Sequence, residues 1–341
     1  MYKLVPNTDV PYGRYASRSP SQRLYLVTGG CGFIGSHLVD ALLAQGHKVR
    51  VLDDLSTGKR SNIPEDEVEL IVGDVSDAQT ALDAMAGVDG CFHLAAIASV
   101  QRSNEDWVGA HRVNLTGTVS ILNAARFAQD ETPVPVVYAS SAAVYGDNQD
   151  LPLNETAKPQ PMTSYGADKL GSEHQARVAG LVYEIPTAGF RFFNVYGPRQ
   201  DPSSPYSGVI SIFAKRIASG DTVTIFGDGQ QTRDFVYVSD VVRHLIAGMD
   251  NASVDAPVFN VCRGEATSVL TLANTIARLL QVKPTIQYQR ARPGDIRHSR
   301  GDPSAATAAL SVQAQVELDQ GLSMLLDSLR GGVDRTVTVA A

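Results

Sequence analysis

The sequence predicts an α/β protein: a doubly wound parallel sheet followed by a smaller α+β lobe. Three observations carry this. Short, wholly apolar runs alternate with stretches of helical periodicity from Leu24 to Phe192. A glycine-rich turn, Gly29-Gly30-Cys31-Gly32, joins the first run to the first helical stretch. After Phe193 the alternation breaks into a segment rich in Gly, Pro, Ser and Tyr. Continuous apolar runs, unlike alternating ones, mark strands buried on both faces by helices.

The elements follow in order. Leu24 to Thr28 (LYLVT) is the first strand, and a helix with Leu38, Leu42 and Leu43 on one side follows it, stopping at Gly46. Strands are expected at Lys48–Asp53, 68–72, 88–94, 135–140 and 186–192. Helices are expected at 79–85, 107–128 and 165–181; the second carries Val113, Val119, Leu122 and Ala125 at apolar spacing. The chain then divides into a flexible arm (1–22), a cofactor domain (23–193), a substrate lobe (194–330) and a tail (331–341). Strands from the second half are expected to cross back to the first.

Composition narrows the function classes. Of 341 residues, 43% are hydrophobic and 19% charged, enough for a sizeable core. The net charge of −7 argues against a nucleic-acid partner. No long apolar run predicts a membrane span, and 1–22 lacks the apolar centre of a secretory signal. Three widely spaced cysteines (Cys31, Cys91, Cys262) make neither a disulfide framework nor a zinc pattern, which suits the cytoplasm. Seven scattered histidines predict no metal site.

Gly29, Gly32 and Gly35 stand at GxxGxxG spacing between a strand and a helix. Such a turn brings backbone N–H groups and a positive helix end to a pyrophosphate. Asp53 closes the next strand, where a carboxylate accepts from ribose hydroxyls and repels a 2′-phosphate. The pattern predicts a Rossmann-type domain holding NAD. Asp74, after Gly73 at the end of the third strand, is placed to contact adenine.

Tyr165 and Lys169 lie at i, i+4 and so share a helix face. An ammonium beside a phenol favours phenolate, so Tyr165 is expected to titrate below its usual value and act as a general base. Ser140 and Ser141 end the preceding strand at the same sheet edge, where a serine can bridge a substrate oxygen.

With TGGCGFIG, Asp53, Gly73-Asp74, HLAA (His93 to Ala96), YASSAAVYG (Tyr138 to Gly146), Tyr165/Lys169, RFFNVYGPRQDP (Arg191 to Pro202) and GDGQQTRDFVYVSD (Gly227 to Asp240), the chain resembles the extended short-chain dehydrogenase/reductases that act on nucleotide sugars. Among them it is most similar to UDP-N-acetylglucosamine and UDP-glucose 4-epimerases. The resemblance implies a catalytic set of Ser141, Tyr165 and Lys169. It implies NAD contacts at Gly29, Gly32, Phe33, Ile34, Gly35, Asp53, Asp54, Thr57, Gly58, Asp74, Val75, Leu94, Ala95, Ala96, Ala139 and Phe193, together with Tyr165 and Lys169.

Relatives that eliminate water carry Asp-Glu after the strand-end Ser/Thr, and those that decarboxylate usually keep a glutamate. Here Ala142-Ala143 follows Ser141, and alanine moves no proton. The resemblance further implies substrate contacts at Ser99, Ser141, Asn194 and Val209, uracil contacts at Thr224 and Phe226, diphosphate binding by Arg233 and Arg292, and a uridine-ribose contact at Asp295. Ser299 corresponds to the position beside the sugar C2 substituent, where a small residue admits N-acetyl sugars. His93 and Cys31 read as structural and packing residues. The resemblance also implies a homodimer through a four-helix bundle built from the 107–128 and 165–181 helices. A nucleotide-sugar reductase or 2-epimerase, or a non-catalytic NAD(H)-binding regulator, are the alternatives.

Overall fold

The computed structural model describes residues 22–129, 132–201, 208–291 and 296–331. The expected arm and tail lie outside the described residues, except for Gln22 and Gly331. Six strands follow the predicted runs: β1 (Leu24–Thr28), β2 (Lys48–Asp53), β3 (Glu69–Val72), β4 (Gly90–His93), β5 (Val136–Ser141) and β6 (Thr187–Phe192). A seventh, Val258–Val261, returns from the second half and completes the sheet beside β6. The order is Val258–Val261, β6, β5, β4, β1, β2, β3, with every pairing parallel. The chain reverses its direction of growth between β1 and β4, so a crevice opens at their carboxyl ends.

Both faces of the sheet are covered, which explains the uninterrupted apolar strands. On one face, helix α1 (Phe33–Ala44) and the Val238–Asp250 helix bring Leu38, Leu42, Val241 and Leu245 into one core with Val27 and Val51. On the other, Leu82, Met85, Ile121, Leu122 and Ala179 pack against Leu24, Leu26 and Val136. A third core, with Phe213, Ile225, Phe235, Leu272 and Leu325, belongs to the smaller lobe. Among the described residues that lobe is fastened by three short strand pairs, including Asn194–Tyr196 with Phe235–Tyr237 and Thr232–Arg233 with Thr267–Ser268.

One expected element needs correction. The single α-helix expected over 107–128 is instead a composite: Trp107–His111, a π-turn at Arg112–Thr116, and Gly117–Ala125. Asn114 explains the widened turn. Its Oδ1 accepts from Ile97 N (2.8 Å) and its Nδ2 donates to Ile97 O (3.3 Å), so the helix is tied to the loop after β4. Thr118 Oγ1 donates to the Asn114 carbonyl (2.7 Å), competing with the regular ladder. Among the described residues no helix is long and apolar enough to cross a membrane.

Candidate active site

The crevice is a cavity of about 1100 Å³ bounded by the carboxyl ends of the strands and by the smaller lobe. The glycine turn forms its floor. Gly29 sits at φ +69° with its backbone against Ala95; a Cβ there would lie 2.8 Å from Ala95 N. Gly35 meets the turn from the helix side, where a Cβ would strike the Gly29 carbonyl and lie 2.8 Å from Gly30 Cα. Larger residues would separate α1 from the turn and lift its N-terminus away from the cavity.

Asp53 is buried at the end of β2. Its Oδ2 accepts from Cys31 N (2.9 Å) and its Oδ1 from Leu55 N (2.8 Å). Burial pushes its carboxyl up, and the two backbone donors oppose this. Asp54, Thr57, Val75, Leu94, Ala95, Ala96, Ala139 and Phe193 line the same cavity, as do Phe33, Ile34 and Gly32. Gly58 does not; it packs on the Asp53 carboxylate, 2.9 Å from where its Cβ would be. Asp74 lines the wall and is bridged by Arg112 from the π-turn (3.1 Å), a partner the sequence reading missed.

Ser141, Tyr165 and Lys169 come together across β5 and the Ser164–Tyr183 helix, and all three line the cavity. Thr163 caps that helix by accepting from Gly166 N (3.1 Å), which fixes Tyr165 in its first turn. The Ser141 hydroxyl lies on the Tyr165 phenol's side of the cavity and favours its ionised form. Lys169 is 3% exposed, donates from Nζ to the Ala139 carbonyl (2.8 Å) and stands 5.8 Å from the Tyr165 ring centre.

The expected lowering of the Tyr165 pKa is not what the protein groups alone produce. Desolvation pushes the phenol up to about 12, opposed by the Ser141 hydroxyl. Burial also brings Lys169 down to about 8, opposed by the neighbouring Asp168 carboxylate. Lys169 therefore titrates only slightly above neutrality, and its side chain is bonded to the Ala139 carbonyl and not to the phenol.

Ser140 faces the other way. Its Oγ donates to Glu173 Oε1 (2.5 Å), which also accepts from Arg191 Nε (2.9 Å). Arg191 Nη2 bonds Glu173 Oε2 (2.7 Å), and Nη1 reaches the Tyr145 hydroxyl (2.9 Å). Tyr145 in turn donates to Asn260 Oδ1 (2.6 Å) on the returning strand. A buried polar chain thus backs the strand end that presents Ser141. His93 is structural: buried between Thr28 Oγ1 (2.8 Å) and Thr118 Oγ1 (3.2 Å), it is pushed down to about 3 by burial. Cys31 is buried and free, with its thiol pushed up to about 12 by burial.

From the second lobe, Asn194, Arg233 and Ser299 line the cavity, opposite Ser99. Ser99 caps its helix by accepting from Arg102 N (3.1 Å). Asp234 anchors this wall, accepting from Arg263 N (2.8 Å), Gly264 N (3.0 Å) and Gly301 N (3.2 Å), with burial raising its carboxyl to about 6. Ser299 is held beside Arg233 because its N donates to the Thr232 carbonyl (3.2 Å). Val209, Thr224 and Phe226 are not on the cavity wall among the described residues: Val209 opens a helix, and the other two lie in the Val223–Phe226 strand. Arg292 and Asp295 lie outside the described residues. No cluster of three or more His, Cys, Asp or Glu suited to a metal ion occurs among the described residues.

A glycine turn at a helix N-terminus and a buried acid one strand further on, at the carboxyl edge of a parallel sheet, mark a dinucleotide-binding α/β fold, with Ser, Tyr and Lys on the same cavity. Residues 25–262 match the model of the NAD dependent epimerase/dehydratase family, and the chain belongs to that family. A UDP-glucose 4-epimerase of Mycolicibacterium smegmatis is 39% identical over 311 residues, covering 89% of this chain and 98% of that one. A UDP-N-acetylglucosamine 4-epimerase of Methanobrevibacter ruminantium, solved with UDP-N-acetylmuramic acid, superposes with a TM-score of 0.85 at 32% identity (91% and 99% covered). The Thermus thermophilus UDP-glucose 4-epimerase, solved with NAD, gives 0.84 at 36% identity (91% and 100% covered). The cofactor is NAD, and the glycine turn and Asp53 fit it.

Proposed function

We propose that the protein is a UDP-sugar 4-epimerase acting on UDP-N-acetylglucosamine and UDP-N-acetylgalactosamine, with the glucose/galactose and uronic acid forms as further substrates. The carrying observation is the convergence of Ser141, Tyr165 and Lys169 on one cavity whose adjacent wall, Ala142 and Ala143, offers no acid. That wall can support proton transfer at one hydroxyl but not the elimination of water.

NAD would be held by the glycine turn and Asp53, and would supply reversible hydride transfer at the sugar C4. Tyr165 takes the 4-hydroxyl proton and gives it back, with Ser141 bridging the oxygen. Lys169 supplies the positive charge that opposes the desolvation of Tyr165. Arg233 and Arg292 hold the diphosphate, two forked cations suited to a dianion. Thr224, Phe226 and Asp295 remain the proposed nucleoside contacts, with Val209 a proposed substrate contact and Gly58 a proposed NAD contact. The cofactor is carried mainly by 23–193 and the sugar by 194–330.

The partner is a second copy of the chain. Trp107 (67% exposed) and Val108 (83%) near one end of the two outer helices, and Leu181 (70%) and Val182 (61%) near the other, are exposed apolar side chains that a four-helix interface would cover. Buried free cysteines suit the cytoplasm.

The test is incubation of the purified protein with a panel of UDP-sugars, followed by NMR at C4. Inversion without added NAD(P)H supports the reading. Net consumption of NAD(P)H would mark a reductase, inversion at C2 a 2-epimerase, and no turnover a regulator.

A further inference from the structure

The segment after the Asn194–Tyr196 strand leaves the smaller lobe and crosses to the cofactor side. Gly197 passes next to the first residue of α1: a Cβ there would lie 3.6 Å from the Phe33 ring. The Pro198 carbonyl accepts from His37 Nε2 (3.0 Å). Arg199 Nη2 donates to Asp40 Oδ2 (2.6 Å), with the arginine side chain only 5% exposed. Asp201 pairs with Lys59 Nζ (3.4 Å) from the loop that follows Asp53. Phe33, His37 and Asp40 fall at i, i+4 and i+7, one face of α1. Four of five consecutive residues are thus fastened to α1 or to the Asp53 loop, the two elements that flank the glycine turn. Pro198, Arg199, Gln200 and Asp201 all line the cavity with Phe33, His37 and Lys59.

Two further features indicate that the segment is held in place by these contacts. Arg199 has φ +65°, a left-handed conformation that a long side chain keeps only where its surroundings enforce it. Burial brings His37 down to about 4, so it remains a neutral donor to the Pro198 carbonyl throughout the neutral range.

We propose that Pro198–Asp201 is a strap that retains NAD: it must lift from α1 before the dinucleotide can exchange, and the Arg199–Asp40 pair is its main fastening. Asp40 lies on the helix flank away from the reacting groups, so loosening it acts on cofactor exchange and not on the chemical step. The Lys59–Asp201 pair is exposed at both ends (60% and 45%) and adds a weaker, salt-sensitive fastening.

The experiment loads the holoenzyme with labelled NAD, chases with unlabelled NAD and follows retained label after rapid desalting. Asp40→Asn is expected to release NAD about tenfold faster, because the buried Arg199 guanidinium loses its partly exposed counter-charge. Its turnover with saturating NAD stays within about twofold of the parent, since it touches no reacting group. Lys59→Gln, which removes a surface pair and leaves the fold alone, gives a smaller acceleration of about threefold, and added salt reproduces it in the parent. Parental release rates in both variants would overturn the proposal. So would faster release from Arg112→Gln with none from Asp40→Asn, which would put the exit at the Asp74 side.

Discussion

Replacing Glu173 with Leu removes the centre of the polar chain behind Ser141. Three donors lose their acceptor: Ser140 Oγ, Arg191 Nε and Arg191 Nη2. Arg191 keeps only its Nη1 bonds, to the Tyr145 hydroxyl and the Glu155 carbonyl (3.1 Å). The pair is 6% and 7% exposed, so water does not reach in to replace the carboxylate. Breaking a buried pair in this way costs about 3–5 kcal/mol. A chain of 341 residues unfolds with an entropy of about 2.1 cal/mol/K per residue, which converts that cost to a fall in Tm of roughly 4–7 °C. The assay is thermal unfolding by circular dichroism at pH 7 with NAD held constant, since bound ligand also moves Tm. Adding Arg191→Met to Glu173→Leu should restore most of the loss, because the stranded charge goes with it. A fall below about 1 °C in the single variant would refute the reasoning.

Tyr165→Phe should lower turnover by about 10²–10⁴-fold while NAD still copurifies, and near-parental turnover would remove Tyr165 from proton transfer. Asp168→Asn tests the electrostatics around Lys169. Asp168 is the group that opposes the downward pull of burial, so its loss should move the alkaline limb of activity from near pH 8 toward lower pH. Tyr165 and the neutral His93 also stand near Lys169, and His111 is bonded to Asp168 itself (2.7 Å). An unmoved limb would count against the role of Asp168. Ser299→Tyr should depress turnover of UDP-N-acetylglucosamine and spare UDP-glucose; equal activity on both would refute a gate at that position.

What the sequence made legible was local. The glycine turn, Asp53 and the Tyr165/Lys169 pair are each fixed by spacing within one element or across one turn, and apolar continuity alone placed six of the sheet strands. What it hid depends on distant elements meeting. Arg112 reaches Asp74 from a π-turn, and no spacing rule links a residue there to the end of a strand nearly forty residues earlier. Glu173, Arg191, Tyr145 and Asn260 come from four separate elements, and no spacing rule links them. The Tyr165 pKa was misjudged because a motif shows which charge is near but not how much water is excluded.

The returning Val258–Val261 strand has a consequence for how this molecule can be made and divided. The sheet is closed beside β6 only after the chain has passed through about half of the smaller lobe. A ribosome therefore finishes the sheet late, and until then β6 presents a bare hydrogen-bonding edge, the kind of surface on which chains aggregate. The contacts that close it span a long stretch of sequence, which slows their formation. No single cut along the chain yields two self-sufficient pieces, so the sheet and the smaller lobe must be engineered as one unit.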